Sequence, residues 1–154
     1  MIVIIEAVQL LSAACLGLFV GALLTEAVVL VPMWRSMSPP EFFDLHKAHA
    51  HRLYAFFAPL TAVATSLSIV AAISCVITDR AGSLAVVVAA ALTLVILSTY
   101  FLYFQRANAS FAEASMEPEH LPAELARWAS WHWFRTAVGL IGFMAMLLSL
   151  KGIP

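Results

Sequence analysis

The chain has 154 residues, 63% of them hydrophobic and 11% charged, with a formal net charge of −1. That balance, together with a mean hydropathy of +0.96, is not that of a soluble domain, and the absence of any Lys/Arg run gives no electrostatic footprint for nucleic acid. A hydrocarbon core about 30 Å thick takes about 20 apolar residues per helix, so this length holds one domain of four spans with short connections. Cys15 and Cys75 lie inside apolar stretches without CxxC or Cys/His spacing, which predicts helix-packing residues rather than a disulfide or a zinc ribbon.

The opening MIVIIEAVQL lacks a positively charged n-region, and Leu11-Ser12-Ala13-Ala14-Cys15 only loosely resembles a lipoprotein cleavage box. An uncleaved first span is therefore expected, from about Ile2 to Met33. It carries Gly17 and Gly21 at the four-residue spacing that lets helices approach closely in lipid, either within the bundle or in a homo-oligomer. Pro32 and the Ser36-Met37-Ser38-Pro39-Pro40 cluster end it, and Ser38 before the two prolines is a helix start. The amphipathic stretch EFFDLHKAHAHR then leads without a breaker into a second span, about Leu53 to Ile77.

Thr78 to Ser83 make a tight polar turn, followed by a third span from Leu84 to Phe104. So short a turn implies antiparallel neighbours. Gln105 to Arg127 is polar, with Glu113, Glu117, Glu119 and Glu124 and prolines at 118 and 122, and is expected to be a sizeable extramembrane loop. The fourth span, Trp128 to Leu150, opens with Trp128, Trp131 and Trp133, where interfacial aromatics belong. The fold expected is an all-α, integral membrane, four-helix antiparallel bundle forming one domain over residues 1–154. No internal repeat points to an inverted-repeat transporter. Arg35, Lys47, Arg52, Arg106, Arg127 and Arg135 would lie at one face, against Arg80 and Lys151 at the other, which predicts that the first face is cytoplasmic and that both termini are not.

An antiparallel arrangement gathers Glu26, the stretch from His46 to Arg52, Arg106 with Asn108, and His132 with Arg135 at that same face. An ionisable group inside a span is costly unless paired or solvated, so Glu26 must face the bundle interior, as a functional group or as the partner of an arginine such as Arg52 or Arg135. His46 and His49 are three residues apart with Arg52 three further on, presenting two imidazoles and a guanidinium together, while His51 points elsewhere. His132 and Arg135 repeat the spacing. Glu26, His46, His49 and His132 are thus candidate ligands for a transition metal such as iron, copper or zinc, or facing histidines for a haem, although no HxxxH or ExxH motif occurs. The simpler alternative is that these side chains are interfacial anchors reaching the headgroups. Glu6, nearer the other face, is expected to be a wetted helix start, and Phe42, Phe43, Phe56 and Phe57 to be interface or core.

Arg127-Trp128-Ala129-Ser130-Trp131-His132-Trp133-Phe134-Arg135-Thr136 resembles the W-x-x-W-H-x-x-R-T pattern of small four-span membrane proteins of the anthrone oxygenase-like family. The long third loop, with Asn108 after the third span, is similar too, and more weakly the stretch from His46 to Pro59. The resemblance implies an oxidoreductase that uses dioxygen on anthrone-type substrates, and it carries over to Asn108, Trp128, His132 and Arg135. Trp128 is also a candidate cofactor-binding residue, against the simpler reading of the tryptophans as interface or core. On the oxidoreductase reading a lipophilic phenolic or polycyclic molecule enters between helices from the bilayer. His132 or His49 removes its proton, and Arg135 or Arg52 stabilises the oxyanion. A binding or accessory subunit that holds a metal, haem or quinone within a larger membrane complex is the alternative. A proton-coupled carrier using Glu26 ranks last, because the polar cluster sits at one face and no through-path is evident.

Overall fold

In lipid the backbone can satisfy its N–H and C=O groups only within its own helix or a closed barrel, and four apolar runs here have become four long helices. The computed structural model describes residues 2–150; the charge assigned above to Lys151 lies outside them. Helix α1 runs Ile2–Thr25, passes through a π-helical segment at Glu26–Leu30 and ends at Val31–Arg35. Helix α2 is Pro39–Ile77. Helix α3 is Ser83–Thr99, then a π-helical segment at Tyr100–Phe104, then Gln105–Ala112. Helix α4 is Leu121–Ser149, preceded by a 3₁₀ turn at Pro118–His120. Each is long and apolar enough to cross a membrane.

The connections follow local chemistry. The Ser38 backbone N–H and hydroxyl both donate to the Glu41 carboxylate, at 2.8 and 2.6 Å, fixing the start of α2 ahead of its prolines. Between α2 and α3, Gly82 takes φ 84°, and a Cβ there would lie 3.2 Å from the Ser149 carbonyl oxygen, so the turn needs glycine for both conformation and space. Consecutive helices pack as neighbours, and α4 closes the ring against α1. The result is the expected antiparallel bundle.

Two differences from the sequence expectation concern the ends. The polar stretch after Phe104 is largely helical, because Ala107 and Phe111 bury on one face of Gln105–Ala112 while Gln105 and Arg106 are exposed. Only the short segment around Glu113 to Glu117 separates this helix from the 3₁₀ turn. At the opposite end, Glu6 is not a free helix start: its carboxylate accepts from Arg80 at 2.9 Å. The 39 residues of α2 extend roughly 58 Å, about twice the hydrocarbon thickness, so its first turns stand clear of the bilayer core.

The interior has two parts. Leu16, Phe19, Leu23, Ala64, Ala71, Val86, Ala89 and Met146 belong to the apolar core between the spans. Trp34, Phe42, Phe104, Phe111, Leu121 and Trp128 belong to an aromatic-rich cluster at the end where the expected polar residues gather. The two glycines of α1 diverge in use. A Cβ on Gly17 would lie 3.0 Å from the Phe143 ring, so this glycine lets α1 meet α4, whereas Gly21 has nothing within 4 Å.

Candidate functional site

Glu26, His132 and Arg135 lie at the seam between the apolar core and the aromatic cluster. Glu26 opens the π-helical segment of α1, while His132 and Arg135 occupy one face of α4 at the three-residue spacing noted in the sequence. Arg135 donates through Nη2 to Glu26 Oε2 at 2.9 Å and through Nε to His132 Nδ1 at 3.0 Å. His132 Nε2 lies 2.8 Å from the Leu23 carbonyl oxygen. A guanidinium only donates and a carbonyl only accepts, so Nδ1 is the acceptor and the ring proton sits on Nε2. His132 is therefore neutral in this arrangement, with both nitrogens engaged.

Aromatic rings hold the network. Trp128 stacks on His132 at 5.0 Å and 9°, and its indole N–H donates to Asn108 Oδ1 at 2.9 Å. The Arg135 guanidinium lies 4.1 Å from the centre of the Phe104 ring, a cation–π contact on its unpaired side. Trp34 meets Trp128 edge-on at 5.5 Å. These rings pin α1, α3 and α4 to each other around two buried charges.

A cavity of about 550 Å³ opens beside this network, between α2 and α3. Glu26, Arg135, Asn108, Trp128 and Trp34 line one part of it, Phe57, Ala58, Thr61, Leu97 and Tyr100 its apolar walls, and His46, His51 and Gln105 contribute further polar groups. The volume is that of a small-molecule site. Tyr54 and Phe101 also line it and are 57% and 63% exposed, which marks the opening between the two helices. Backbone irregularities cluster here: both π-helical segments contribute lining residues, and Pro59 of α2 removes the N–H that the Ala55 carbonyl would otherwise receive.

Of the residues expected from sequence, Glu26, His46, Asn108, Trp128 and Arg135 line the cavity. His132 is fully buried behind Trp128 and Arg135 and does not. His49 and Arg52 are exposed and lie off the cavity, whereas His51, expected to point elsewhere, lines it. The reason is the drift of the helical stripe: the cavity sector of α2 carries His46, Ala50, Leu53, Phe57 and Thr61 and widens towards His51, Ala58 and Ala62, the side away from His49 and Arg52.

The expected four-ligand metal set does not converge. Among the described residues no group of three or more His, Cys, Asp or Glu side chains could hold a metal ion. Glu26 Oε2 and His132 Nδ1 come within 3.6 Å, but Arg135 bonds both atoms. His46 is instead enclosed by rings, stacked on Phe42 at 5.3 Å and edge-on to Phe111 at 5.5 Å, while the His132 ring is covered by Trp128 at 5.0 Å. Trp34, Tyr100 and Gln105 are among the lining residues that the sequence did not single out. The run Tyr100-Phe101-Leu102-Tyr103-Phe104-Gln105 carried a signal in its dense aromatics at a span end. No protein-family model, curated protein or solved structure matches the chain.

Proposed function

We propose that this integral membrane protein is an oxidoreductase of the oxygenase type that acts on a lipophilic phenolic or polycyclic small molecule held in the cavity between α2 and α3. The observation that carries the reading is the cavity's polarity: aromatic and aliphatic walls lead from an opening beside lipid-facing side chains to a carboxylate paired with a guanidinium. An apolar ring system fits the walls, and an oxygen on it meets Arg135 and Asn108. The resemblance of the segment Trp128 to Thr136, and of Asn108 in the stretch before it, to anthrone oxygenase-like proteins points to the same substrate class, and Asn108, Trp128 and Arg135 line the cavity together.

The chemistry follows from which groups reach the substrate. His132 has no free nitrogen, so the proton acceptor is Glu26, whose carboxylate lines the cavity. Removal of a benzylic proton to Glu26 leaves a carbanion delocalised onto the ring oxygen, and Arg135 then pairs with that oxyanion in place of the carboxylate it has lost. Addition of dioxygen to the carbon and return of the proton give a hydroperoxide. Loss of water leaves a ketone, so a CH₂ group and O₂ become C=O and H₂O. His132 is a positioning residue that holds the guanidinium.

The same cavity supports the alternative of an accessory subunit, with a quinone carbonyl receiving the Arg135 and Asn108 donors and no turnover. Oxygen uptake by the purified protein with an anthrone, alongside binding followed by tryptophan fluorescence, separates the two. The oxygenase reading requires uptake that is lost in Glu26→Gln and Arg135→Gln. Tight quinone binding without uptake favours the subunit, and neither binding nor uptake sinks both. We further propose that the face bearing Arg35, Lys47, Arg52, Arg106 and Arg127 is cytoplasmic.

A further inference from the structure

Away from the aromatic end, the apolar core contains polar side chains that the cavity chemistry does not use. Gln9, Ser12, Thr65 and Ser68 are all buried, at 1%, 0%, 4% and 0% exposure. Ser12 and Ser68 share a hydrogen bond of 3.2 Å between their hydroxyls, joining α1 to α2. On α1, Glu6, Gln9 and Ser12 follow at three-residue steps; on α2, Ser68, Thr65 and Thr61 follow at steps of three and four, the spacings that place side chains next to each other on a helix. Thr61 lines the cavity, and Glu6 is the partner of Arg80 at the opposite face. The six residues make a ladder: up α1 from Glu6, across at Ser12 and Ser68, and on along α2 to the cavity. At 1.5 Å per residue its two legs cover about 20 Å.

Polar residues between spans commonly serve as interhelical glue. Ser12 and Ser68 do so, but glue leaves no atom unpaired. Among the described residues the buried side-chain atoms without a protein partner are Gln9 Oε1, Thr65 Oγ1 and Arg80 Nη1, and all three lie on this ladder or at its end. Thr65 departs from the pattern of its helix neighbours, where the hydroxyls of Thr61 and Ser68 each donate to the carbonyl four residues back. A buried acceptor, a buried hydroxyl and a buried guanidinium N–H complement water, which donates and accepts in turn and typically makes two to four such bonds inside proteins.

We propose that the ladder from Arg80 through Gln9, Ser12, Ser68 and Thr65 to Thr61 binds a file of water molecules that connects the cavity with the opposite face of the membrane. The sequence alone showed no through-path, because Gln, Ser and Thr spread over two helices reveal no line until the helices are registered. Such a file gives the cavity an aqueous contact independent of its mouth, able to exchange water or a proton at Thr61. The inference stands on the ladder and does not depend on the oxygenase reading.

Magnetisation transfer from water protons to labelled side chains, measured by solid-state NMR on the full chain in lipid bilayers, tests it. Transfer to the Gln9 and Thr65 side chains should match that to Thr61 and run several-fold faster than to Leu16 and Ala71, which are fully buried in the apolar core. Thr65→Val should slow transfer to the neighbouring Ser68 while leaving Thr61 unchanged. Gln9 and Thr65 as slow as Leu16 would overturn the proposal. Fast transfer at Gln9 with Thr65 slow would overturn it equally, since water would then stop short of the cavity.

Discussion

Arg135 holds two neighbours at once, and the consequence can be measured residue by residue. A buried ion pair is costly to break from one side because the remaining charge is left unpaired, typically by about 3 to 5 kcal/mol, whereas replacing both partners with neutral groups is far milder. Arg135→Met and Glu26→Gln each break the pair from one side, so both should destabilise. The arginine change, which strands the carboxylate, is expected to cost about 3 kcal/mol in a reversible unfolding assay in mixed micelles, and the double variant Glu26→Gln/Arg135→Met should recover much of that. A destabilisation in the double variant equal to the sum of the two single ones would show that the pair is not coupled. For Trp128 the relevant bond is the one to Asn108. Trp128→Phe keeps a ring over His132 but drops the indole donor, so a double-mutant cycle with Asn108→Leu should return a coupling of about 1 kcal/mol.

At this scale the sequence was informative where charge met lipid. A carboxylate inside an apolar span has to be paired, and Arg135 was among the two partners open to Glu26. The same reasoning misassigned His49, Arg52 and His51. A spacing of three residues says which side chains share a helix face, but not which face the neighbouring helices leave open. His132 shows the converse: its motif spacing marked it as reactive, while the carbonyl of Leu23 on another helix, which no sequence pattern identifies, occupies its second nitrogen.

At the scale of the helix, the irregular segments place the site. The π-helical stretch Glu26–Leu30 adds a residue to the turn that carries the carboxylate and so sets the rotation of Val31–Arg35, including Trp34, relative to the rest of α1. Deleting Val29, whose side chain is 56% exposed, should restore a regular α-helix and turn the segments on either side by about 100° relative to each other. Far-UV circular dichroism would stay at the parent level, whereas the near-UV signal of the Trp34 and Trp128 pair would fall and cavity binding would be lost. An unchanged near-UV spectrum would mean that the π segment does not position the site. The turn at Gly82 is a second case. Gly82→Ala forces a side chain into φ 84° and against Ser149, so a loss of about 1 to 2 kcal/mol is expected in the same unfolding assay.

For the molecule as a whole, hydropathy, turn length and the distribution of Lys and Arg lead to a topology that can be checked directly. A reporter inserted in the turn at Arg80 to Gly82 should be active only as a periplasmic or extracellular marker, and one at Glu117 only as a cytoplasmic one. The reverse pattern would invert the orientation proposed here without altering the bundle. Span number, antiparallel order and the gathering of polar residues at one end were legible in the sequence, because each depends on the cost of leaving charge or unpaired backbone in hydrocarbon, and that cost is written in composition along the chain. Which polar groups face a common space was not. The cavity, the engaged state of His132 and the ladder of hydroxyls beneath Thr61 arise from how far four helices rotate and slide against each other, and that is decided by side-chain packing between segments distant in sequence.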